Sequence, residues 1–186
     1  MKWYLVKVNK FVAIDIGCGN LKVPGTIGVD NVKIPGVDVV HNLNKFPYPF
    51  QTSSVDVIYA NQVLEHLTAP LDEIMAELCR ICKPNGVIKI EVPHALNVAG
   101  FADPTHVKFY TYFTFDYFGN NIQSYYAKTK IRILKKRFIY KTGRISSILL
   151  KPVEFLINLF PMIYSHYFAF IIPCSTLYFE LQPIKD

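Results

Sequence analysis

An open α/β sheet with mostly parallel strands is the fold class this sequence predicts, and three observations predict it. Short apolar runs recur at close intervals between Phe11 and Val92, several of them closing on a glycine or an acid. Between two of these runs lies an amphipathic stretch with Leu71, Ile74, Met75, Leu78, Ile81 and Cys82 at helical spacing. Two further strand-like runs return near the C-terminus, as a sheet that takes its last strands late would require.

Phe11 to Ile16 is apolar on both faces, the pattern of a strand in a covered parallel sheet. It carries Asp15 and runs into Gly17-Cys18-Gly19-Asn20. Glycine lacks a Cβ and tolerates positive φ, so the backbone can approach a ligand closely at this point. Thr26 to Asp30 is the second strand and places Asp30 eleven residues after Gly19. An acid closing such a strand can accept hydrogen bonds from both hydroxyls of a ribose. Val37 to His41 is the third, ahead of Asn42-Leu43-Asn44, and Val55 to Ala60 the fourth, ahead of Asn61. The helix over 71–82 is closed by a turn at Lys83-Pro84-Asn85-Gly86, and Val87 to Val92 is the fifth strand, ending at Pro93-His94.

The front half is compressed. Eight residues separate Gly19 from Gly28 and six separate Asp30 from Val37, enough to cross over when extended but too few for full helices. The first two crossover helices are therefore expected to be missing or cut to a turn. Beyond Val98, residues 102–112 are polar and aromatic, and Phe113 to Phe118 suggests a short helix. Lys130 to Tyr140 and Thr176 to Gln182 supply the last two strands, with an apolar insertion, Ile145 to Pro173, between them.

At 186 residues and 51% apolar content the chain forms one domain, 1–186, and is excluded from the disordered class. Residues 11–98 form a nucleoside-binding half and 99–186 a half for the second substrate. Formal net charge is +6, yet residues 117–153 hold nine Lys/Arg and no acid. The basic character belongs to that segment. Lys2, Lys7 and Lys10 interrupt any signal-peptide core, and with four cysteines this fits a reducing cytoplasm. Cys79 and Cys82 form a Cys-x-x-Cys pair, but both lie on the helix's apolar stripe with no second pair at zinc spacing, so they are expected in the core.

Taken together, Ile14-Asp15-Ile16-Gly17-Cys18-Gly19-Asn20, Gly28-Val29-Asp30, Val55-Asp56-Val57-Ile58 leading to Leu64-Glu65-His66-Leu67, and Leu78 to Gly86 resemble the class I S-adenosylmethionine-dependent methyltransferases. The motifs stand in that family's order over residues 11 to 94. The resemblance implies a seven-stranded Rossmann-like sheet whose final strand is antiparallel, and S-adenosylmethionine as cofactor. It also implies roles: Asp15, Gly17, Cys18 and Gly19 beside the methionine part, Asp30 on the ribose, Asn42 and Leu43 near the adenine, and Asn61 by the methyl group. Asn42 stands where the family often has an acid.

The residues agree with this reading independently, since each falls just past a strand's carboxyl end, where open α/β sheets bind ligands. A dinucleotide is the rival ligand. Against it, Lys22 occupies the place of the third glycine of G-x-G-x-x-G, and the short connection offers no helix N-terminus for a pyrophosphate. A cationic sulfonium needs no such helix, and Asp15 suits its charge.

For the transfer step, a base would need a suitable proton affinity and a position above the strand ends. His106, His94 and Asp103 are the candidates; many methyl transfers need only positioning, because the sulfonium leaving group is already activated. Glu65 and His66 read as a structural hydrogen bond opening a helix. No carboxylate–histidine spacing is diagnostic of a metal, so none is expected. Tyr110, Tyr112, Phe113, Phe115, Tyr117 and Phe118 are expected to pack the cap.

The expected function is transfer of a methyl group to an oxygen or nitrogen of a small-molecule or lipid-linked acceptor. The alternative is a non-catalytic nucleoside-binding module that recruits a membrane or protein partner. The stretch 155–179 carries no charge, but Pro161 and Pro173 divide it and the last strand must return to the same sheet, so a membrane span is not expected. Two readings of the insertion remain: helices buried over the site, or an interfacial anchor with Lys135, Lys136, Arg137, Lys141 and Arg144 meeting anionic head groups. Nucleic acid is not an expected partner, because the alternating basic run reads as one wetted strand face.

Overall fold

A computed structural model describes residues 11–119, 125–141 and 148–185. Lys2, Lys7, Lys10, Arg144 and the first three residues of the insertion lie outside them. Seven strands form one sheet: β1 (Ala13–Ile16), β2 (Ile27–Asp30), β3 (Val39–Val40), β4 (Val55–Asn61), β5 (Cys82–Pro93), β6 (Lys130–Ile139) and β7 (Thr176–Ile184). Their order is β3-β2-β1-β4-β5-β7-β6. The β1–β2, β1–β4, β2–β3 and β4–β5 pairs are parallel, and β7 runs antiparallel to both β5 and β6. This is the sheet expected from the sequence, with the antiparallel strand inserted between β5 and β6.

The reversal of strand order falls at β1 and β4, where crossovers leave in opposite directions and a crevice opens beyond the strand ends. As the short spacings require, no helix lies between β1 and β2 or between β2 and β3. A carboxylate replaces them as the organiser. Asp38 Oδ2 accepts from the Gly28 amide at 2.7 Å and from Lys22 Nζ at 2.9 Å, tying both connections together. These contacts hold the Asp38 carboxyl below its ordinary pKa.

The helix Leu71–Ile81 buries Ile74, Met75, Leu78, Cys79 and Ile81 along one stripe. Cys79 and Cys82 are free thiols in that core, and burial pushes Cys82 up to about 12, which leaves little thiolate for redox or metal chemistry. One expectation fails beside them. Residues 83–86 do not simply close the helix; Cys82 already pairs with Val55, and the pairing resumes at Val57 and Val87 after an irregularity, so β5 begins five residues early. Thr114–Phe118 is a 3-10 turn; Tyr110, Phe115, Phe118 and Phe179 pack as a buried aromatic group, and Phe138 stacks on Tyr112.

The edge strand β6 carries an irregularity between Ile133 and Lys135. The extra residue shifts the alternation, so Ile131, Ile133, Lys136 and Phe138 turn inward while Lys130, Arg132, Lys135 and Arg137 stay exposed. Helix Lys151–Leu159 covers the outer edge: the Asn158 amide accepts from Phe138 N and donates to Phe138 O, both at 2.9 Å. An edge strand is thus paired by a side chain where no neighbouring strand exists.

Of the two readings of the insertion, burial over the sheet is not what the fold adopts. From Ile148 to Ile172 only Glu154, Ile157, Tyr164 and Ala169 are buried, whereas Phe155, Leu156, Leu159, Phe160, Met162, Ile163, Phe170 and Ile171 are exposed. Glu154 and Asn158 face the strand edge and the prolines turn the chain, so the apolar residues between them point outward. Among the described residues, no helix is long and apolar enough to cross a membrane.

Candidate active site

The carboxyl ends of β1, β2, β4 and β5 converge on two adjoining cavities of about 590 and 240 Å3. Asp15, Gly17, Cys18, Gly19 and Asn61 line the larger. Gly17, Asp30, Asn42 and Leu43 line the smaller. Gly17 and Gln62 line both, so the two are compartments of one groove with Asp15 on one side and Asp30 on the other. All eight residues selected from the sequence for a nucleoside therefore come together.

The floor is set by two left-handed glycines. Gly17 has φ +63°, and a Cβ there would lie 2.1 Å from Val63 Cγ2; Gly19 has φ +50° and open space around it. The amides of Gly17 and Cys18 both donate to Val29 O, at 2.8 and 3.3 Å, bending the loop over β2. Asp30 Oδ2 accepts from Gly19 N at 2.9 Å and Oδ1 from Val32 N at 3.2 Å. Asp15 is buried; its Oδ2 accepts from Val23 N at 2.8 Å. Burial raises the Asp15 carboxyl above its ordinary pKa, with the Val23 amide and Lys22 pulling the other way. A ligand cation nearby would favour the charged form of this carboxylate. Asn42 Oδ1 accepts from Asn44 N at 2.9 Å, which orients its amide at the rim.

The far wall of the larger cavity is formed by Glu91, Pro93, Ala99, His106, Lys141, Ser175 and Thr176. Lys141 Nζ pairs with Glu91 Oε1 at 2.5 Å, and Gln62 Nε2 donates to the same oxygen at 3.3 Å. Of the three base candidates only His106 reaches the groove. Its Nδ1 donates to Gly100 O at 2.9 Å, which leaves the lone pair on Nε2.

His94 and Asp103 do not line either cavity. His94 is buried edge-on against Phe138, with burial holding its pKa below the ordinary value and Nδ1 without a hydrogen-bond partner among the described residues. Asp103 is exposed and occupied within its own turn, accepting from Thr105 N at 2.8 Å and Thr105 Oγ1 at 2.6 Å. Both lie past β5 as the sequence suggested, but the chain turns their side chains elsewhere.

Gln62, Glu91 and Ser175 were not singled out from the sequence, and Lys141 was expected at lipid head groups, whereas it pairs with Glu91 in the groove wall. Gln62 and Glu91 had a usable signal, since each ends or follows a parallel strand beside an already selected residue. Lys141 and Ser175 had none; they arrive through the antiparallel strand, from positions 50 and 84 residues beyond Glu91.

Residues 2–90 match the model of a family described as a methyltransferase domain. No curated protein matches the chain at the level of sequence. Among solved structures, a SAM-dependent methyltransferase from Archaeoglobus fulgidus superposes with TM-score 0.61 at 18% identity, over 94% of this chain and 86% of that one. An S-adenosylmethionine-dependent methyltransferase from Mesorhizobium loti gives 0.58 at 13% identity over 96% and 93%. Haemonchus contortus phosphoethanolamine N-methyltransferase 2, in complex with S-adenosyl-L-methionine, gives 0.59 at 14% identity over 100% of this chain and 50% of that one.

Proposed function

We propose that this chain, whose residues 2–90 match the model of a methyltransferase domain and whose sheet runs on to Ile184, is a class I S-adenosylmethionine-dependent methyltransferase that transfers the methyl group to an oxygen or nitrogen of a small-molecule or lipid-linked acceptor. One observation carries the reading: Asp15 and Asp30 border two compartments of a single groove joined at Gly17 and Gln62. The cofactor when bound supplies an electrophilic methyl on a sulfonium. Asp30 is placed to take the ribose hydroxyls, Asn42 and Leu43 to border the adenine, and Asp15 and Asn61 to face the methionine end. Gly17, Cys18 and Gly19 give the backbone its close approach.

The acceptor enters the larger compartment opposite Asn61, its attacking atom in line with the sulfur–methyl bond. The bound cofactor would give up its methyl group to that atom and take the S–CH3 electron pair back onto sulfur, losing its positive charge. The acceptor's proton leaves to a base or to water, and His106 Nε2 is the available nitrogen on that wall. Isothermal titration with S-adenosylhomocysteine, followed by a labelled-cofactor transfer screen, tests this. Saturable binding that Asp30→Ala weakens by roughly 10- to 100-fold is expected; no binding at millimolar ligand would reject the reading.

The exposed apolar face favours contact with a membrane surface. Val153, Leu156, Ile157, Phe160, Ile163, Tyr164, Phe168 and Ile172 enclose an apolar cavity of about 340 Å3 that opens outward beside exposed Phe170 and Ile171. Monomeric soluble proteins seldom leave so many neighbouring apolar side chains in water. An interfacial seat for helix Lys151–Leu159 and the turns after it would bring the groove to a lipid-linked acceptor.

A further inference from the structure

Glu65, His66 and His106 each place a donor atom within 4.8 Å of the other two, and we propose that they hold a divalent first-row transition-metal ion at the wall of the groove. No metal is expected from the order of residues, because His106 lies forty residues from the Glu65-His66 pair. The fold closes that distance through the backbone. The carbonyl of Glu65 accepts from the amides of Val107 at 2.8 Å and Lys108 at 3.2 Å, which clips the His106 loop onto the 64–66 turn. The two imidazole centroids stand 4.7 Å apart as a result.

Glu65 is the first independent sign of a missing ligand. Its side chain is fully buried at 0% exposure, and neither carboxylate oxygen has a hydrogen-bond partner among the described residues. A buried carboxylate left unpaired is strongly unfavourable, and a coordinated cation is one of the few ways to offset it.

The histidine tautomers are the second sign. The Thr105 hydroxyl gives its single proton to Asp103 Oδ1 at 2.6 Å, so in its 2.8 Å contact with His66 Nδ1 it can only accept. His66 therefore carries its proton on Nδ1 and its lone pair on Nε2. Gly100 O imposes the same tautomer on His106. Imidazoles whose Nδ1–H is engaged by an oxygen acceptor, leaving Nε2 bare, are the usual form of metal-ligating histidine. Asp103, away from the groove, thus belongs to the support of His66.

Two imidazoles and one carboxylate suit Zn2+, Mn2+ or Fe2+ rather than Mg2+ or Ca2+, which favour all-oxygen shells. Three protein ligands leave coordination positions open. His106 lines the larger compartment and His66 the smaller, so the cluster borders the groove on both sides. If methyl transfer is the reaction, a premise this step rests on, the open position takes an acceptor hydroxyl. Its proton leaves to solvent, the O–CH3 bond forms and the S–CH3 bond breaks. His106 is then a ligand, with no proton-accepting role.

The test uses untagged full-length protein, freed of metal with a chelator, then titrated with Co2+ by visible absorption and with Zn2+ and Mn2+ by calorimetry. S-adenosylhomocysteine binding is measured in parallel. One ion per chain is expected, weakened about tenfold or more by Glu65→Gln, by His106→Asn and by Thr105→Val, and unchanged by His41→Asn. The cobalt spectrum should lack thiolate charge transfer, which excludes Cys79 and Cys82. No saturable binding, or binding that survives both Glu65→Gln and His106→Asn, overturns the site. Thr105→Val touches no proposed ligand atom, so it decides the matter if either ligand variant fails to fold. Cofactor-analogue binding without metal binding overturns this inference alone; loss of both overturns the methyl-transfer reading as well.

Discussion

Asp30 Oδ2 accepts the backbone amide of Gly19 at 2.9 Å, so the acid that closes β2 also fastens the glycine loop that closes β1. One carboxylate shapes the floor of the groove and still has lone pairs for a ribose. Asp30→Ala should lower S-adenosylhomocysteine affinity by roughly 10- to 100-fold, the worth of one or more hydrogen bonds to a charged acceptor. Asp30→Asn keeps an oxygen for Gly19 and should lose less. Calorimetry separates the two, and equal affinity in Asp30→Ala and wild type would remove Asp30 from the binding site.

Gly17 and Gly19 share positive φ but not surroundings. A Cβ on Gly17 meets Val63 Cγ2 at 2.1 Å and Val63 Cβ at 2.6 Å, whereas one on Gly19 meets nothing within 4 Å. Gly19→Ala should therefore cost about 1–2 kcal/mol for the left-handed backbone alone. Gly17→Ala adds overpacking of about 1–3 kcal/mol and pushes Val63 off its place at the start of the 64–66 turn. Urea unfolding should rank Gly17→Ala well below Gly19→Ala, and Val63→Ala should restore part of the difference. Equal costs at the two positions would contradict the packing described.

The strand ends were legible because parallel strands advertise themselves: Asp15, Gly17, Asp30 and Asn61 each follow an apolar run, and the fold places ligand-facing residues there by rule. The short Gly19-to-Gly28 connection likewise announced its missing helix by length alone. Glu65, His66 and His106 were legible as residues but not as a group. Their proximity depends on two main-chain hydrogen bonds from Val107 and Lys108 to Glu65 O, and main-chain pairing leaves no mark in side-chain identity. The insertion misleads for a different reason. Apolar content signals burial only when a partner surface exists, and here Glu154 and Asn158 take the strand edge, leaving the hydrophobic residues to face out.

His94 should give the protein an acid-sensitive step. Burial holds its folded-state pKa below the ordinary 6.5, so the unfolded chain binds this proton more readily than the native one. The stability linked to His94 is then fully present above pH 6.5 and is lost as pH falls through 6.5 toward the lower native value. Chemical denaturation between pH 8 and 5 should show wild type losing stability faster than His94→Asn. Parallel curves for the two proteins would place the titration on another group.

Membrane contact through the insertion predicts two separable contributions. Phe155, Phe170 and Ile171 are each more than two-thirds exposed, and burying such a side chain in lipid is worth about 1.5–3 kcal/mol. Phe170→Glu combined with Ile171→Glu should therefore cut co-sedimentation with anionic vesicles by roughly tenfold or more, without lowering the melting temperature, since neither residue supports the core. Lys135 and Arg137, exposed on the outer face of β6, contribute through the surface potential, which salt screens over a Debye length of about 10 Å at 0.1 M. Their replacement by alanine should weaken binding at low salt and make little difference at high salt, whereas the apolar double variant should bind poorly at both. A wild-type protein that stays in the supernatant at low salt would leave the apolar face without a lipid partner.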